Sequence, residues 1–125
     1  MDQAEEKYQE ALKLKPDYAK ALSDWGNVLL SRSASRESEA AESLVNLAMD
    51  KFFDAERKEP GSSSYYRARH AALSGDVYGY QESLRRAQRY NKLPSREEIL
   101  NDRAFDDVRD SEWFKQFLNQ LKKGT

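Results

Sequence analysis

The chain has 125 residues, of which 34% are charged and 38% hydrophobic, and it contains no cysteine. This length suits one small domain, the net charge of −1 gives no basis for attracting nucleic acid or an acidic membrane, and the lack of cysteine excludes disulfides, thiol catalysis and thiolate metal sites. No apolar run approaches the roughly 20 residues of a membrane span, and the acidic N-terminus shows no signal pattern. We therefore expect a soluble protein without membrane insertion; its compartment stays open, with the cytoplasm or an organelle interior favoured over secretion.

Two helices are predicted before the serine-rich segment Ser31–Ser38. Apolar spacings of three and four predict the first from Ala4 to Leu14, and Pro16 ends it because proline does not fit a helix interior. The second is predicted to begin at Asp17, a favourable N-cap residue. Its inner face carries Leu22, Trp25, Gly26 and Leu29.

The segment Ser31–Ser38 has no apolar periodicity and is interpreted as a join. A long helix is predicted from Ser38 to Lys58, because Pro60 and Gly61 follow as a stop signal. Its apolar positions recur at spacings of three and four, at Ala41, Leu44, Ala48, Phe52 and Ala55.

The second half of the chain also predicts helices. Ser62–Ser64 open one, the turn at Gly75 ends it, and a partner helix runs to about Asn91. After Pro94, the spacing Ser95-x-x-Glu98 is a capping-box signature that begins a short helix. The last helix has an apolar stripe of Trp113, Phe114, Phe117, Leu118 and Leu121. Since no stretch alternates as a strand does, the fold class is all-α.

One phrase occurs twice, at an offset of 44 residues from Ala4 to Ala48. The first copy is Ala4, Tyr8, Ala11 and Pro16, and the second is Ala48, Phe52, Ala55 and Pro60. A weaker copy follows 32 residues later, as Tyr80, Leu84, Ala87 and Lys92. Repeats of this size indicate stacked supersecondary units, which usually form binding surfaces.

The middle unit resembles the tetratricopeptide repeat. The matching residues are Leu22-x-x-Trp25-Gly26-x-x-Leu29, then Ala48-x-x-x-Phe52-x-x-Ala55, closed by Pro60. The resemblance implies a right-handed stack (an α-α superhelix) of antiparallel helical hairpins. Residues 1–16 match the second helix of a repeat, 17–60 a repeat with extended helices, and 61–92 a degenerate repeat with Ala68 in place of glycine. Residues 93–125 are then expected to form C-terminal capping helices.

Two departures from the family pattern matter. The family period is about 34 residues, so roughly ten extra residues lie between Leu29 and Ala48 and are expected to lengthen the helices there. They form either a further contact surface or a tolerated extension. The chain also starts within a repeat, which would expose Tyr8 and Leu12 unless something covers them. We expect either a piece of a longer protein or an edge that pairs with another copy.

The resemblance implies a function in protein binding. In the family, the first helices of successive repeats line a concave groove that holds an extended peptide or a helix. The corresponding positions here are Lys20, Ser23, Asp24, Asn27, Tyr65, Tyr66 and Arg69. Asn27 and Arg69 are suited to hydrogen-bond a peptide backbone or carboxylate, and the tyrosines offer flat apolar contact. The alternative is that all seven are solvated helix residues.

Two subgroups of the family are less well matched. One grips the C-terminal carboxylate of heat-shock chaperones with lysine, asparagine and arginine side chains. Asn27 matches that clamp, but Ser23 stands in place of a lysine and Tyr66 in place of the arginine, so a chaperone co-factor is disfavoured. The long join between Leu29 and Ala48 resembles a feature of the plant mitochondrial import receptor, which has extended helices in this fold. Membership of that subgroup is therefore kept as an alternative.

Residues suited to catalysis or metal binding are sparse. His70 is the single histidine and has no second histidine or cysteine as a partner. The cluster from Asn101 to Asp110 lacks the ligand spacing, glycine and closing glutamate of a calcium loop. We expect no catalytic residue, no metal and no cofactor. A group of arginines is better explained by internal ion pairs or an anionic protein partner than by RNA: Arg67, Arg69, Arg85, Arg86 and Arg89.

The sequence thus predicts a non-enzymatic scaffold or adaptor that captures a partner peptide or helix in its groove. The rival hypothesis is self-assembly into homo-oligomers through exposed terminal helices. The predicted core consists of Tyr8, Leu22, Trp25, Ala48, Phe52, Leu84 and Ala87.

Overall fold

The computed structural model describes residues 3–15, 18–34 and 38–121, and within them the chain is helical with no strand. The all-α prediction is therefore confirmed for this part of the protein. The helices are α1 (Gln3–Leu14), α2 (Ala19–Ser33), α3 (Ser38–Lys58), α4 (Ser64–Leu73), α5 (Val77–Arg89), α6 (Arg96–Asn101), a 3-10 turn (Arg103–Phe105) and α7 (Glu112–Gln120).

Helix boundaries mostly follow the predicted start and stop signals. The interpretation of Ser31–Ser38 as a join is wrong at its beginning, because α2 continues to Ser33. Ser31 Oγ donates to the Asn27 carbonyl at 3.2 Å and Ser33 Oγ to the Leu30 carbonyl at 2.6 Å, so these serines bond the preceding turn and remain helical. The predicted cap Asp17 and residues 35–37 lie outside the described residues.

The start of α6 and the end of α5 lie close to their predicted positions. Ser95 caps α6, as predicted, by accepting a hydrogen bond from the Glu98 backbone N–H at 3.1 Å. Helix α5 ends at Arg89, two residues before the predicted end, because Asn91 has a φ of 59° and cannot continue a helix.

Helices α2 and α3 form an antiparallel pair. Ala19 and Leu22 at the start of α2 share a buried cluster with Ala55 near the end of α3. The close approach predicted at Gly26 is confirmed, because a Cβ there would lie 2.5 Å from Phe52 Cε1. Helices α2 and α3 have 15 and 21 residues.

Six of the seven predicted core residues are buried, and Tyr8 is only half-buried. Tyr8 and Leu12 were expected to be exposed in the absence of a covering segment. Instead, both pack against the cluster of Trp25, Leu29, Ala48 and Phe52. The expected exposure is wrong because α1 lies directly on α2 and shares its apolar side chains.

The C-terminal segment supplies much of a second core. The α4–α5 hairpin contributes Ala68, Ala71, Ala72, Tyr80 and Leu84, and the segment after Pro94 contributes Ile99, Phe105, Phe114, Phe117 and Leu118. Phe105 stacks on Phe114 with ring centroids 5.4 Å apart. The expected capping segment therefore completes the interior of the α4–α5 hairpin.

Candidate functional site

Two adjoining cavities lie between α2, α4 and the segment that contains α6. The first encloses about 410 Å³ and is lined by Lys20, Ser23, Asp24, Glu59, Ser62, Tyr65, Tyr66, Lys92, Pro94 and Glu98. The second encloses about 670 Å³ and is lined by Tyr65, Arg69, Ser95, Glu97, Glu98, Asn101 and Asp102. Because Tyr65 and Glu98 belong to both, we call the two cavities together the groove.

The predicted site residues converge on this groove. Five of them line the first cavity, and Arg69 lines the second. Asn27 lines neither cavity but accepts a hydrogen bond from Arg69 Nη1 through its Oδ1 atom at 3.2 Å. The helical spacing on α2 and α4 therefore places all seven residues in one connected region.

A hydrogen bond between α4 and α2 lies in the wall of the first cavity. Tyr66 donates its hydroxyl proton to Asp24 Oδ1 at 2.8 Å, and Lys20 Nζ donates to Asp24 Oδ2 at 3.0 Å. Burial and the nearby Asp24 carboxylate raise the pKa of Tyr66 to about 12. The hydrogen bond and charge of Asp24 also raise the pKa of Lys20. Both side chains consequently keep their protons at neutral pH.

A second set of hydrogen bonds joins α4 to Asp102, just after α6. Asp102 Oδ2 accepts from the Tyr65 hydroxyl at 2.7 Å and from Arg69 Nε at 2.9 Å. Burial and the Asp102 carboxylate raise the pKa of Tyr65 well above its ordinary value. The expectation that Arg69 is available for a partner carboxylate needs correction, because Asp102 and Asn27 already accept from two of its nitrogens.

Ser23 also differs from its predicted role. Its side chain is 1% exposed, and its Oγ donates to the Ser62 carbonyl at 3.1 Å. Ser23 therefore anchors the α3–α4 connection beneath the cavity and has little surface to offer a partner. The neighbouring Ser62 Oγ is buried and has no hydrogen-bond partner within the described ranges.

The connection from α3 to α4 is held by the Glu56 carboxylate. Glu56 accepts from the backbone N–H groups of Gly61 at 3.0 Å and Ser63 at 2.8 Å, and from Arg86 Nε at 2.6 Å. Burial raises the pKa of Glu56, but the hydrogen bonds from Arg86, Ser63 and Gly61 outweigh it, so the pKa lies below its ordinary value. This carboxylate fixes the backbone that carries Ser62.

Sequence reasoning missed nine groove residues, which lie on the connections and on the C-terminal segment: Glu59, Ser62, Lys92, Pro94, Ser95, Glu97, Glu98, Asn101 and Asp102. Turn signals at Pro60-Gly61 and at Pro94 marked the connections, and the Ser95-x-x-Glu98 signature marked the start of α6. However, only tertiary packing brings these segments to the groove: Glu56 and Ser23 hold the α3–α4 connection, and α6 and the 3-10 turn pack beside α4.

The other residues singled out by the sequence lie elsewhere. His70 is half-buried, borders a separate cavity of about 190 Å³, and has its pKa lowered by burial. In the described part of the chain, no group of three His, Cys, Asp or Glu side chains could hold a metal ion. Three arginines of the third unit form internal ion pairs: Arg69 with Asp102, Arg85 with Glu82 and Arg86 with Glu56.

Comparison with known proteins gives no relative of this chain: no family, no curated protein and no solved structure matches it. Among the helices of the described ranges, none has the length and apolar character needed to cross a membrane. Inferences about function therefore depend on the residues and geometry of the groove.

Proposed function

We propose that this protein is a scaffold of the tetratricopeptide-repeat type that binds a peptide or helix of a partner protein in the groove. Its helical hairpins would form part of a larger protein or assembly, and it would have no catalytic role. The observation that carries this proposal is that six of the seven predicted residues line one groove, and that Asn27 is hydrogen-bonded to one of them, Arg69. The six are Lys20, Ser23, Asp24, Tyr65, Tyr66 and Arg69.

The packing of the middle unit supports the repeat interpretation. Gly26 lies against Phe52 and the Ala48 backbone, so the motif residues of the first helix of the middle unit pack on those of its second helix. Ala68, which stands at the glycine position of the third unit, is fully buried. Its neighbour α5 packs on α4 across the turn at Gly75, whose φ is 77°. The α2–α3 and α4–α5 hairpins thus each have a small residue, Gly26 or Ala68, at the glycine position of the repeat motif.

The chemistry of the groove suits a polypeptide. Tyr65 and Tyr66 present ring surface at little entropic cost, because each hydroxyl is held by a carboxylate, Asp102 or Asp24. The side chains of the groove are therefore ordered before a partner arrives, which reduces the entropy lost on binding. A mixed lining of apolar rings, charges and hydroxyl groups fits a peptide better than a purely apolar ligand.

The proposal is tested by selecting random linear peptides on the immobilised protein and measuring their affinities by calorimetry. The variant Asn27→Ala/Tyr66→Ala should weaken binding about tenfold or more, because it removes one groove ring and frees Arg69 to change position. The matched control Asn46→Ala/Tyr78→Ala changes the same residue types at exposed positions outside the groove and should bind normally. Equal binding by both variants would refute the groove as the site.

Self-assembly is the second candidate function, and one observation favours it. Ala48, Phe52 and Ala55 of the second copy are 0% exposed. The equivalent residues of the first copy, Ala4, Tyr8 and Ala11, are only half-buried. Helix α1 thus keeps part of an apolar face on which another copy could pack.

Light scattering across protein concentration separates the two candidates. Groove binding predicts a constant mass near the monomer value of 14.5 kDa. Self-assembly predicts a mass that rises with concentration and falls in Tyr8→Glu or Leu12→Glu, with the exposed-site variant Lys13→Glu as control. Circular dichroism must first show that each variant keeps its helices.

A further inference from the structure

The groove carries more negative than positive side chains. Its lining includes three cations, Lys20, Arg69 and Lys92, and five carboxylates, Asp24, Glu59, Glu97, Glu98 and Asp102. The lining therefore has an excess of two negative charges, which a bound segment can neutralise.

Every groove cation is already paired within the protein. Lys20 pairs with Asp24 at 3.0 Å, Lys92 with Glu59 at 2.9 Å, and Arg69 with Asp102 at 2.9 Å. The carboxylates of Glu97 and Glu98 have no hydrogen-bond or ion-pair partner among the described residues. The unpaired charge consequently lies at one place, on the first turn of α6.

Tyr65 lies beside these carboxylates and belongs to both cavities. Its hydroxyl is bound to Asp102, so the ring face is the part that remains for a ligand. A Lys or Arg side chain is attracted to an aromatic face and to carboxylates alike. This end of the groove thus has the two groups that recognise a basic side chain.

The buried hydroxyl of Ser62 is a second and separate indication of a ligand. Ser62 lines the first cavity, yet its Oγ has no hydrogen-bond partner in the part of the chain that the structure describes. A buried polar atom without a partner is unfavourable, and a polar group of a ligand would satisfy it. The groove therefore combines an unpaired hydroxyl at Ser62 with the unpaired carboxylates of Glu97 and Glu98 beside Tyr65.

We propose that the polypeptide bound in the groove carries a Lys or Arg side chain that packs on Tyr65 and pairs with Glu97 and Glu98, while a neighbouring polar group bonds Ser62. This inference rests on the proposed function, because it specifies the chemistry of the segment that the groove would hold. The partner is thus a basic segment of another protein.

The test uses random linear peptides selected on the full chain, with the consensus compared between variants. The wild-type protein should enrich a Lys or Arg, and replacing it with Ala in a synthetic peptide should weaken binding about three- to tenfold, more at low salt. Selection on Glu97→Lys/Glu98→Lys should instead enrich Asp or Glu. The control Glu39→Lys/Glu42→Lys makes the same charge change at exposed positions of α3, and its consensus should stay basic.

Ser62→Ala gives an independent measurement. It should leave the melting temperature unchanged or raise it, because it removes an unpaired buried hydroxyl, and should weaken the selected peptide about two- to tenfold. Unchanged peptide affinity in Ser62→Ala overturns that part of the inference. A groove-dependent consensus without basic residues, or one that persists in Glu97→Lys/Glu98→Lys, overturns the basic-segment inference and leaves groove binding intact. A selection that yields no groove-dependent peptide overturns both.

Discussion

Asp24 and Tyr66 share a hydrogen bond of 2.8 Å that joins α2 to α4. The adjacent Tyr65 makes the equivalent bond in the other direction, to Asp102 beyond α6. Tyr65 and Tyr66, which are neighbours on α4, therefore connect this helix to α2 on one side and to the residue after α6 on the other. The shape of the groove depends on side-chain bonds between elements that are far apart in the sequence.

The first prediction concerns the Tyr66 hydroxyl. Tyr66→Phe keeps the ring but leaves Asp24 without one of its donors, so the free energy of unfolding should fall by about 1 kcal/mol. Urea denaturation followed by circular dichroism measures this change. The control Tyr78→Phe alters a ring that is 74% exposed and should lie within about 0.5 kcal/mol of the wild type. Equal effects in the two variants would show that the α2–α4 bond contributes nothing to stability.

The helices could be predicted because their signals are local. Apolar spacing and Pro60-Gly61 predicted for α3 the bounds Ser38–Lys58 that the structure has, and Gly26 indicated a close approach to a neighbouring helix. The resemblance to the repeat family indicated the groove positions on α2 and α4, of which six line the groove and Asn27 bonds Arg69. These features depend on residues within a few turns of one another.

The partners of the site residues could not be predicted. Arg69 lies 33 residues from Asp102 and 42 residues from Asn27, and no local pattern links them. The burial of Ser23 likewise depends on the path of the α3–α4 connection, which Glu56 fixes through Gly61 and Ser63. Long-range pairing therefore decided which predicted site residues remain available.

A second prediction addresses the close contact at Gly26. In Gly26→Ala the new Cβ would lie 2.5 Å from Phe52 Cε1 and 3.1 Å from the Ala48 carbonyl, so helices α2 and α3 must separate. Stability should fall by about 1–3 kcal/mol, although alanine favours helices. The exposed α3 variant Ser43→Ala controls for helix propensity and should be neutral or slightly stabilising.

A double-mutant cycle identifies the cause of this loss. Phe52→Leu shortens the side chain that the new methyl group meets. Gly26→Ala/Phe52→Leu should then lose less stability than the sum of the single variants. Simple additivity would mean that the Gly26 contact with Phe52 is not what limits the size of the residue there.

The third prediction concerns the C-terminal segment as part of the core. Phe105 is fully buried between Tyr65, Tyr80 and Phe114, with ring centroids 5.4 to 6.4 Å away. Phe105→Ala should lower the free energy of unfolding by about 3–5 kcal/mol, because it leaves a cavity among these rings. Leu73→Ala, at a position 66% exposed, should change it by less than about 0.5 kcal/mol. A small loss in Phe105→Ala would indicate that the segment folds separately from α4 and α5.

The last prediction is a pH dependence that originates at Glu56. Its folded pKa lies below the ordinary value of 4.5, so the ionised carboxylate stabilises the fold above that pH. This contribution is lost as the pH falls from about 4.5 through the folded pKa, because protonation weakens the bonds from Arg86 and Ser63. Glu56→Gln should be less stable by about 1–3 kcal/mol at pH 7 and should lose less stability on acidification than the wild type. Urea denaturation between pH 7 and pH 3 measures both effects, with the exposed variant Glu6→Gln expected to parallel the wild-type curve. If Glu56→Gln also paralleled it, the acid sensitivity would have to originate at other carboxylates.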